Sequence, residues 1–271
     1  MAGRACVAEG LSHPMDTVYL LSGALSGAAV GFVLGLIGGG GSILAVPLMV
    51  YVVGVPSPHM AIGTSALAVA ANALAGLVNH ARARTVKWKC GSMYAAAGII
   101  GAFGGSTLGK SFDGHRLLFL FALLMIVVGA LMLRGRGATS DADVKLSREN
   151  APRLIAYGIG TGAFSGFFGI GGGFLIVPGL IAATRMPIGN AVGTSLVAVT
   201  AFGITTAANY AFSGLIDWPL AGLFILGGLL GSLFGTALSK RLSSTNALTN
   251  IFAGVIFVVA AYMLWQSWQA M

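Results

Sequence analysis

The sequence predicts an all-α integral membrane protein with two homologous repeats of five apolar segments each. Of 271 residues, 56% are apolar and 8% are charged, and the mean hydropathy is +0.90. A soluble domain carries roughly 25% charged residues. Apolar stretches recur along the whole chain, and motifs of the first half return in the second. These observations exclude a soluble enzyme and a disordered protein, and they predict a chain that crosses the lipid bilayer many times.

The charged residues and the two cysteines point to no further partner class. The net charge is +8, but the basic residues lie in loops between apolar stretches and form no stripe that would follow phosphates, so no nucleic-acid partner is expected. Two cysteines support neither a disulfide framework nor a metal site, and no cofactor is expected. Glu9 and Asp16 interrupt the leader, which predicts that the first stretch remains as a span instead of being removed as a signal peptide.

Ten apolar stretches divide the chain into two sets. The sequence predicts a tail at 1–16, a first repeat at 17–133, a cytoplasmic linker at 134–152, a second repeat at 153–265 and a tail at 266–271. Most stretches have the ~20 residues that cross ~30 Å of hydrocarbon, but the second of each set is shorter. The stretches lie at 17–37, 42–54, 60–80, 88–109 and 115–133, then at 153–169, 173–184, 190–212, 218–239 and 245–265.

Two topologies follow from the short segments, which either cross the bilayer or re-enter from one side. If they cross, there are ten spans, the halves are inverted, and 12 of the 15 basic residues lie on one side. If they re-enter, there are eight spans, the halves are parallel, and the split is 10 to 5. The excess of basic residues in cytoplasmic loops favours ten spans, with both termini on the non-cytoplasmic side. Lys110 and Arg116 are exceptions to that rule.

The internal repeat has a nearly constant register. The run 38–47 aligns with 169–178 at an offset of 131, and both runs are glycine-rich and end in proline. After one deletion the offset becomes 130, and the Gly-Thr-Ser run 63–65 then matches 193–195. Asn79, Trp88 and Lys110 match residues of the same type in the second half. Both halves also carry glycines at every fourth position, which predicts helix faces that pack closely.

The two glycine clusters predict interruptions in the helices. Each glycine costs about 1 kcal/mol relative to alanine in a helix interior, and a proline follows each cluster. We therefore expect a helix, an unwound stretch and a short helix in each half.

Interrupted segments at corresponding positions in two repeats mark the substrate sites of many transporters. A helix that begins near Ser42 or Gly173 directs N–H groups and partial positive charge at the break, which suits an anion. Alternatively, the glycines only allow two helices to cross. The predicted substrate-binding residues here are Gly38, Gly39, Gly40, Gly41, Ser42, Gly171, Gly172 and Gly173.

Hydroxyl and amide side chains give a second set of candidates. Thr64, Ser65, Thr194 and Ser195 open two long spans, where their hydroxyls cap backbone N–H groups, bond back within their own helix or donate to a substrate. The equivalent pair Asn79 and Asn209 is also predicted to bind substrate. The remaining polar residues of the spans, among them Asn72, are expected to join helices by hydrogen bonds.

Charged side chains are expected only outside the span centres. His80 and Arg82 end a span beside a basic loop, where they either orient the protein or attract anions to the cytoplasmic mouth. All seven acidic residues fall in loops, tails or span edges, so a carboxylate proton relay inside the membrane is not expected. An anion would then be held by neutral donors and helix ends, in a site that retains some water.

Together the glycine–proline motifs, the Gly-Thr-Ser runs and the Asn-to-Trp spacing resemble those of the sulfite exporter TauE/SafE family, the toluene sulfonate uptake permease group of bacterial and archaeal inner-membrane proteins. The resemblance covers roughly residues 20–265. It implies a secondary transporter of the exporter type for sulfite or for organosulfonates such as sulfoacetate, in which one repeat is expected to rock against the other. It implies neither the particular anion nor the coupling ion.

Two alternatives remain beside the transporter. A passive anion channel would use the same site without concentrating its ion. An intramembrane hydrolase would use Ser65 or Ser165 with His59 or His80 as base, but the Gly-Thr-Ser run is duplicated while no histidine is, so no enzyme is expected. The expected partners are a small anion and the lipid bilayer, and the glycine faces permit a homodimer without requiring one.

Overall fold

The computed structural model describes residues 17–37, 39–134, 147, 150–239 and 245–269. All regular structure in these ranges is helical. The predicted tail 1–16, most of the linker 134–152 and Gly38 lie outside the described residues. The full-length helices of the described chain are α1 (Thr17–Ile37), α3 (Pro58–Arg82), α4 (Trp88–Ser111), α5 (Gly114–Arg134), α6 (Ala151–Phe168), α8 (Ile188–Ala211), α9 (Trp218–Ser239) and α10 (Thr245–Gln269), and the short ones are α2 (Ala45–Pro47) and α7 (Gly173–Thr184).

Five of these helices are long and apolar enough to cross a membrane by length and composition alone, namely α1, α3, α5, α8 and α9. Shorter apolar helices occupy Gly41–Val53, Gly173–Thr184 and Ala253–Ser267. A multi-pass membrane protein therefore follows from the described helices.

The first short segment, residues 39–53, departs from the prediction. Gly39–Leu44 forms a 3₁₀ helix, α2 adds one α-helical turn, and Leu48–Val53 forms a π-helix that ends at Gly54 in a left-handed conformation. The expectation that Gly39, Gly40 and Gly41 are unwound, with a helix starting near Ser42, was wrong, because these residues are already wound into the tighter helix. Since Pro47 has no N–H to donate, regular α-helical bonding is interrupted at this point.

The second short segment has the break that the sequence predicts. α6 ends at Phe168, and the following turn contains three left-handed glycines, Gly169, Gly171 and Gly172, with φ of 68°, 64° and 66°. α7 then begins at Gly173. Glycine adopts this backbone conformation at little cost, whereas other residues are strained in it. The chain therefore reverses direction between α6 and α7 in a turn made of three glycines and Ile170.

The glycine faces pack helices of different halves together. α1 packs against α9, with Gly27 against the backbone of Phe224 and Gly35 against that of Ser232. Because both positions advance together along the chain, α1 and α9 run parallel. The prediction that these glycines allow close helix approach is confirmed, since a Cβ at either would overlap the partner backbone.

The second close pair, α4 and α6, has the same arrangement. Gly101 lies against the backbone of Ile159 and Gly109 against that of Phe167, so these helices are also parallel. The first helix of each half thus packs on the fourth helix of the other half.

α3 and α8 pack against each other at the centre of the molecule. Gly63, near the start of α3, lies beside Tyr210, and Gly193, near the start of α8, lies beside His80. The two helices are therefore antiparallel. α5 packs against α10, where Gly129 faces Phe257.

Candidate functional site

The break of the second half lies between the middles of the two central helices. A Cβ atom added at Gly171 would be 2.7 Å from Val69 Cγ1 and 3.3 Å from Val199 Cγ1. Both valines are buried, and they are equivalent residues of α3 and α8, 130 positions apart. Gly171 therefore lies where the two halves meet, in a space that admits no side chain.

The amino end of α7 opens beside this break. Gly172 precedes the helix, and its carbonyl accepts hydrogen bonds from the N–H groups of Leu175 and Ile176, both at 2.9 Å. The first N–H groups of a helix have no partner within it and carry partial positive charge. Ser165 of α6 is fully buried, its Oγ has no hydrogen-bond partner, and this atom lies 3.0 Å from where a Cβ at Gly172 would be. A helix end and an unpaired hydroxyl thus adjoin the same buried turn.

The first short segment meets the second in the interior. Its 3₁₀ helix contacts α7 and α8, and it also packs against α1. Gly41 is buried there, and a Cβ added to it would be 2.5 Å from Leu34 N and 2.9 Å from Val30 O. Ser42 is fully buried. The structure therefore brings Gly41 and Ser42 into the same core region as the second break, with Gly39 and Gly40 in the same 3₁₀ helix.

The two predicted threonines accept hydrogen bonds from backbone N–H groups of the opposite half. The backbone N–H of Lys87, just before α4, donates to Thr194 Oγ1 at 2.9 Å. The backbone N–H of Asp217, just before α9, donates to Thr64 Oγ1 at 3.0 Å. Both threonines are fully buried. The capping alternative thus has a geometric basis, and the predicted contact with substrate stays a prediction.

The neighbouring serines bond mainly within their own helices. Ser65 Oγ donates to Ile62 O at 3.0 Å and lies 3.4 Å from Gly169 O, at the start of the second break. Ser195 Oγ donates to Val192 O at 2.8 Å. Ser65 is therefore adjacent to the break, while the recorded bond of Ser195 stays within α8.

The equivalent asparagines lie at opposite ends of the antiparallel α3–α8 pair, so the structure does not bring them together. Asn79 is exposed near the end of α3. Asn209 Nδ2 donates to Ser106 Oγ at 2.6 Å and to Thr107 Oγ1 at 2.9 Å, and its Oδ1 accepts from Lys110 Nζ at 2.8 Å. Asn209 therefore joins α8 to α4 in this conformation, and direct binding of substrate by either asparagine remains a prediction.

Lys110 has a structural reason for its unexpected position. Its Nζ donates to the backbone carbonyl of Asn209 at 3.0 Å and to Ser213 Oγ at 2.9 Å, in addition to Asn209 Oδ1. A cation at the carboxyl end of a helix is stabilised by the helix dipole. The end of α8 therefore holds this lysine.

His80 and Arg82 lie at the end of α3, away from the breaks. His80 Nδ1 forms a 2.9 Å hydrogen bond with Thr85 Oγ1, and the Arg82 residue is exposed. His59 Nε2 lies 3.1 Å from Phe112 O. In the described ranges, the recorded bonds of the two histidines are with these groups and not with Ser65 or Ser165.

Two buried polar residues without hydrogen-bond partners, Ser165 and Asn72, were not among the sequence-predicted substrate ligands. The sequence suggests Ser165 only as the nucleophile of a hydrolase and Asn72 only as a link between helices. The repeat offers a signal for both, because the equivalent residues are the apolar Leu34 and Phe202. Where one half has a polar residue and the equivalent residue of the other half is apolar, the shared fold does not require the polar side chain.

A bundle of apolar helices with two short segments packed in its interior is an arrangement found in many multi-pass membrane transporters. The family model for the sulfite exporter TauE/SafE matches residues 23–263. The chain belongs to that family.

The relatives are also membrane transporters by name. A probable membrane transporter protein of Xylella fastidiosa (strain 9a5c) is 53% identical over 248 residues, which cover 91% of this chain and 95% of the relative. The probable membrane transporter protein YunE of Bacillus subtilis is 25% identical over 93% of this chain and 98% of its own length. MJ0441 of Methanocaldococcus jannaschii, also a probable membrane transporter protein, is 26% identical over 87% of this chain and 93% of its own length. No solved structure matches the chain significantly.

Proposed function

We propose that this transporter is a secondary exporter of small sulfur-containing oxyanions or organosulfonates, such as sulfite or sulfoacetate, across the inner membrane by alternating access. The meeting of the two short segments near α3 and α8 carries the proposal, because glycine backbone and a helix amino end would face an anion that entered there. The substrate class is what the family description suggests, since the description names sulfite export.

The helix directions support ten crossings with inverted halves. α3 is parallel to α9, because Thr64 is bonded to Asp217 just before α9 and Asn72 lies beside Gly228 further along it. α1 is also parallel to α9, so α1 and α3 run in the same direction. The first short segment must then return across the bundle between them. The antiparallel packing of the equivalent helices α3 and α8 fits a two-fold relation in the membrane plane.

This topology assigns the two faces of the membrane. It collects Arg82, Lys87, Arg153 and Arg185 on one side, which the positive-inside rule makes cytoplasmic. The chain would begin and end on the other side, together with Lys110.

The moving bodies under this proposal are not the two repeats. α1 and α9 are locked by glycine packing, and so are α4 and α6. α3 packs on the first pair through α9, and α8 packs on the second pair through α4. Two mixed bundles, α1–α3–α9 and α4–α6–α8, would therefore rock about the α3–α8 contact, and the anion would pass from one side of the short segments to the other.

Flux in proteoliposomes tests the proposal. We expect purified protein to move labelled sulfite or a sulfonate and to accumulate it against its gradient when a proton gradient is imposed. A channel would only equilibrate the anion. Absence of flux for every oxyanion of the panel would overturn the substrate class.

Valine substitutions at Gly171 and at the control position Gly214 test whether the break is the substrate site. Gly171→Val should abolish flux while the protein still reaches the membrane, because the Val69 and Val199 side chains leave no room. Gly214→Val is the matched control, since Gly214 has a similar φ of 67° but no atom within 4 Å of its Cβ position. Gly40→Val, at the equivalent position of the first half, should act like Gly171→Val. Wild-type flux in both Gly171→Val and Gly40→Val at equal expression would refute the site.

A further inference from the structure

Asn72 is a buried amide without a partner. The residue is 3% exposed, and neither its Oδ1 nor its Nδ2 has a hydrogen-bond partner. A buried polar group that lacks its hydrogen bonds costs free energy, so an asparagine whose role was to join helices would be bonded to the neighbouring helix. The expected role as a link between helices is therefore not supported at this position.

The amide lies about one helical turn from the second break and packs against α9. Asn72 follows Val69 by three residues on α3, so the two side chains lie on one helix face, and Val69 borders the second break at Gly171. On the other side, Asn72 packs against Gly228 of α9, whose Cβ position would be 2.8 Å from Asn72 Cγ. Gly228 packs against Gly31 of α1, the helix that also holds the first short segment.

The second half shows that the fold does not need an amide here. The equivalent of Asn72 is Phe202, and the equivalent of Gly228 is Gly98. The Phe202 ring lies against Gly98 and is fully buried. An apolar side chain therefore fills this place in one half, whereas in the other half the chain keeps two polar atoms with no protein partner.

We propose that Asn72 is a substrate ligand and makes the central site asymmetric. Its Nδ2 donates to an oxygen of a small oxyanion, and its Oδ1 accepts from a water that travels with the anion, which suits a site without a nearby fixed cation. The assignment rests on the proposed function, because it places the residue at the site of that transport.

Asn72→Leu tests the assignment, since leucine has the same number and branching of side-chain heavy atoms as asparagine and no polar atoms. The melting temperature without substrate should stay equal or rise, because a buried unpaired amide is removed. The KM for flux should increase at least tenfold, and the rise in melting temperature that sulfite produces in the wild type should largely disappear. Phe202→Leu is the matched control at the equivalent position, and it should lower the melting temperature while leaving the KM and the sulfite-induced rise unchanged.

The outcomes separate this assignment from the proposed function. If the wild type neither transports nor is stabilised by any oxyanion of the panel, the proposed function fails, and the assignment falls with it. If the wild type responds and Asn72→Leu has an unchanged KM and a lower melting temperature, the amide is structural and the assignment alone is overturned. Should Asn72→Leu not fold, Asn72→Ala provides the same comparison of KM and of the sulfite-induced rise.

Discussion

Thr64 and Thr194 allow a direct test between capping and substrate binding. Each hydroxyl accepts a backbone N–H from the opposite half, from Asp217 at 3.0 Å and from Lys87 at 2.9 Å. Replacement by valine keeps the shape of the side chain and removes the acceptor. The N–H group then has no partner in a site where both threonines are fully buried.

The expected loss is about 1–3 kcal/mol for each Thr→Val substitution, the cost of leaving one buried donor unpaired. The two caps lie at opposite ends of the α3–α8 pair and share no partner, so their effects should add within about 0.5 kcal/mol in the double variant. For a chain of this size, each kcal/mol corresponds to roughly 2–4 °C in melting temperature.

Thermal unfolding in detergent and flux in proteoliposomes should be measured on the same samples. Thr205→Val is the control, because the Thr205 hydroxyl donates to the Ala201 carbonyl within α8, at 2.8 Å. If Thr64→Val and Thr194→Val both keep the wild-type melting temperature but lose flux, the hydroxyls act on the substrate and the capping account is wrong. Lower melting temperatures with an unchanged KM would support capping.

Two further predictions concern stability. Gly101→Leu should prevent normal folding, because Gly101 lies against the backbone of Ile159. Gly104→Leu on the same helix should be tolerated, since no atom lies within 4 Å of its Cβ position. Equal amounts of monodisperse protein for both variants, measured by size-exclusion chromatography, would contradict the close α4–α6 packing. Hydrogen bonds from the N–H groups of Arg116 and His115 hold the pKa of Asp113 below its ordinary value, so this cap stabilises α5 above the unfolded pKa and is lost as the pH falls through the lower folded value. Asp113→Ala should therefore lower the melting temperature at neutral pH and make little difference at strongly acidic pH, and a deficit that persists unchanged at acidic pH would refute the charge-based cap.

Helix positions were predictable because their signals are local. The start of α3 at Pro58 and the break after Phe168 follow from proline at the first helical turn and from consecutive glycines. The 3₁₀ winding of the first short segment was not predictable, because glycine propensity is outweighed there by the packing of Gly41 against α1. Hydrophobic periodicity carries no information about such a contact.

The site was predictable only in part, for a similar reason. Gly41 and Ser42 are buried in the 3₁₀ helix that packs against α7, and binding of substrate there stays a prediction. The partner of Thr64 lies 153 residues away in the other half, and the separation of Asn79 from Asn209 follows from the antiparallel arrangement of α3 and α8. A linear repeat marks equivalent residues but does not tell whether symmetry places them together or at opposite ends.

The exchange of helices between the halves has a consequence for how the protein is made. α1 leaves the ribosome long before α9, so its glycine face has no matching surface until most of the chain has been synthesised. Neither half expressed alone can complete this contact, and we expect isolated halves to be degraded. Two fragments cut in the linker and produced together should reassemble, because each supplies the missing helix of the other.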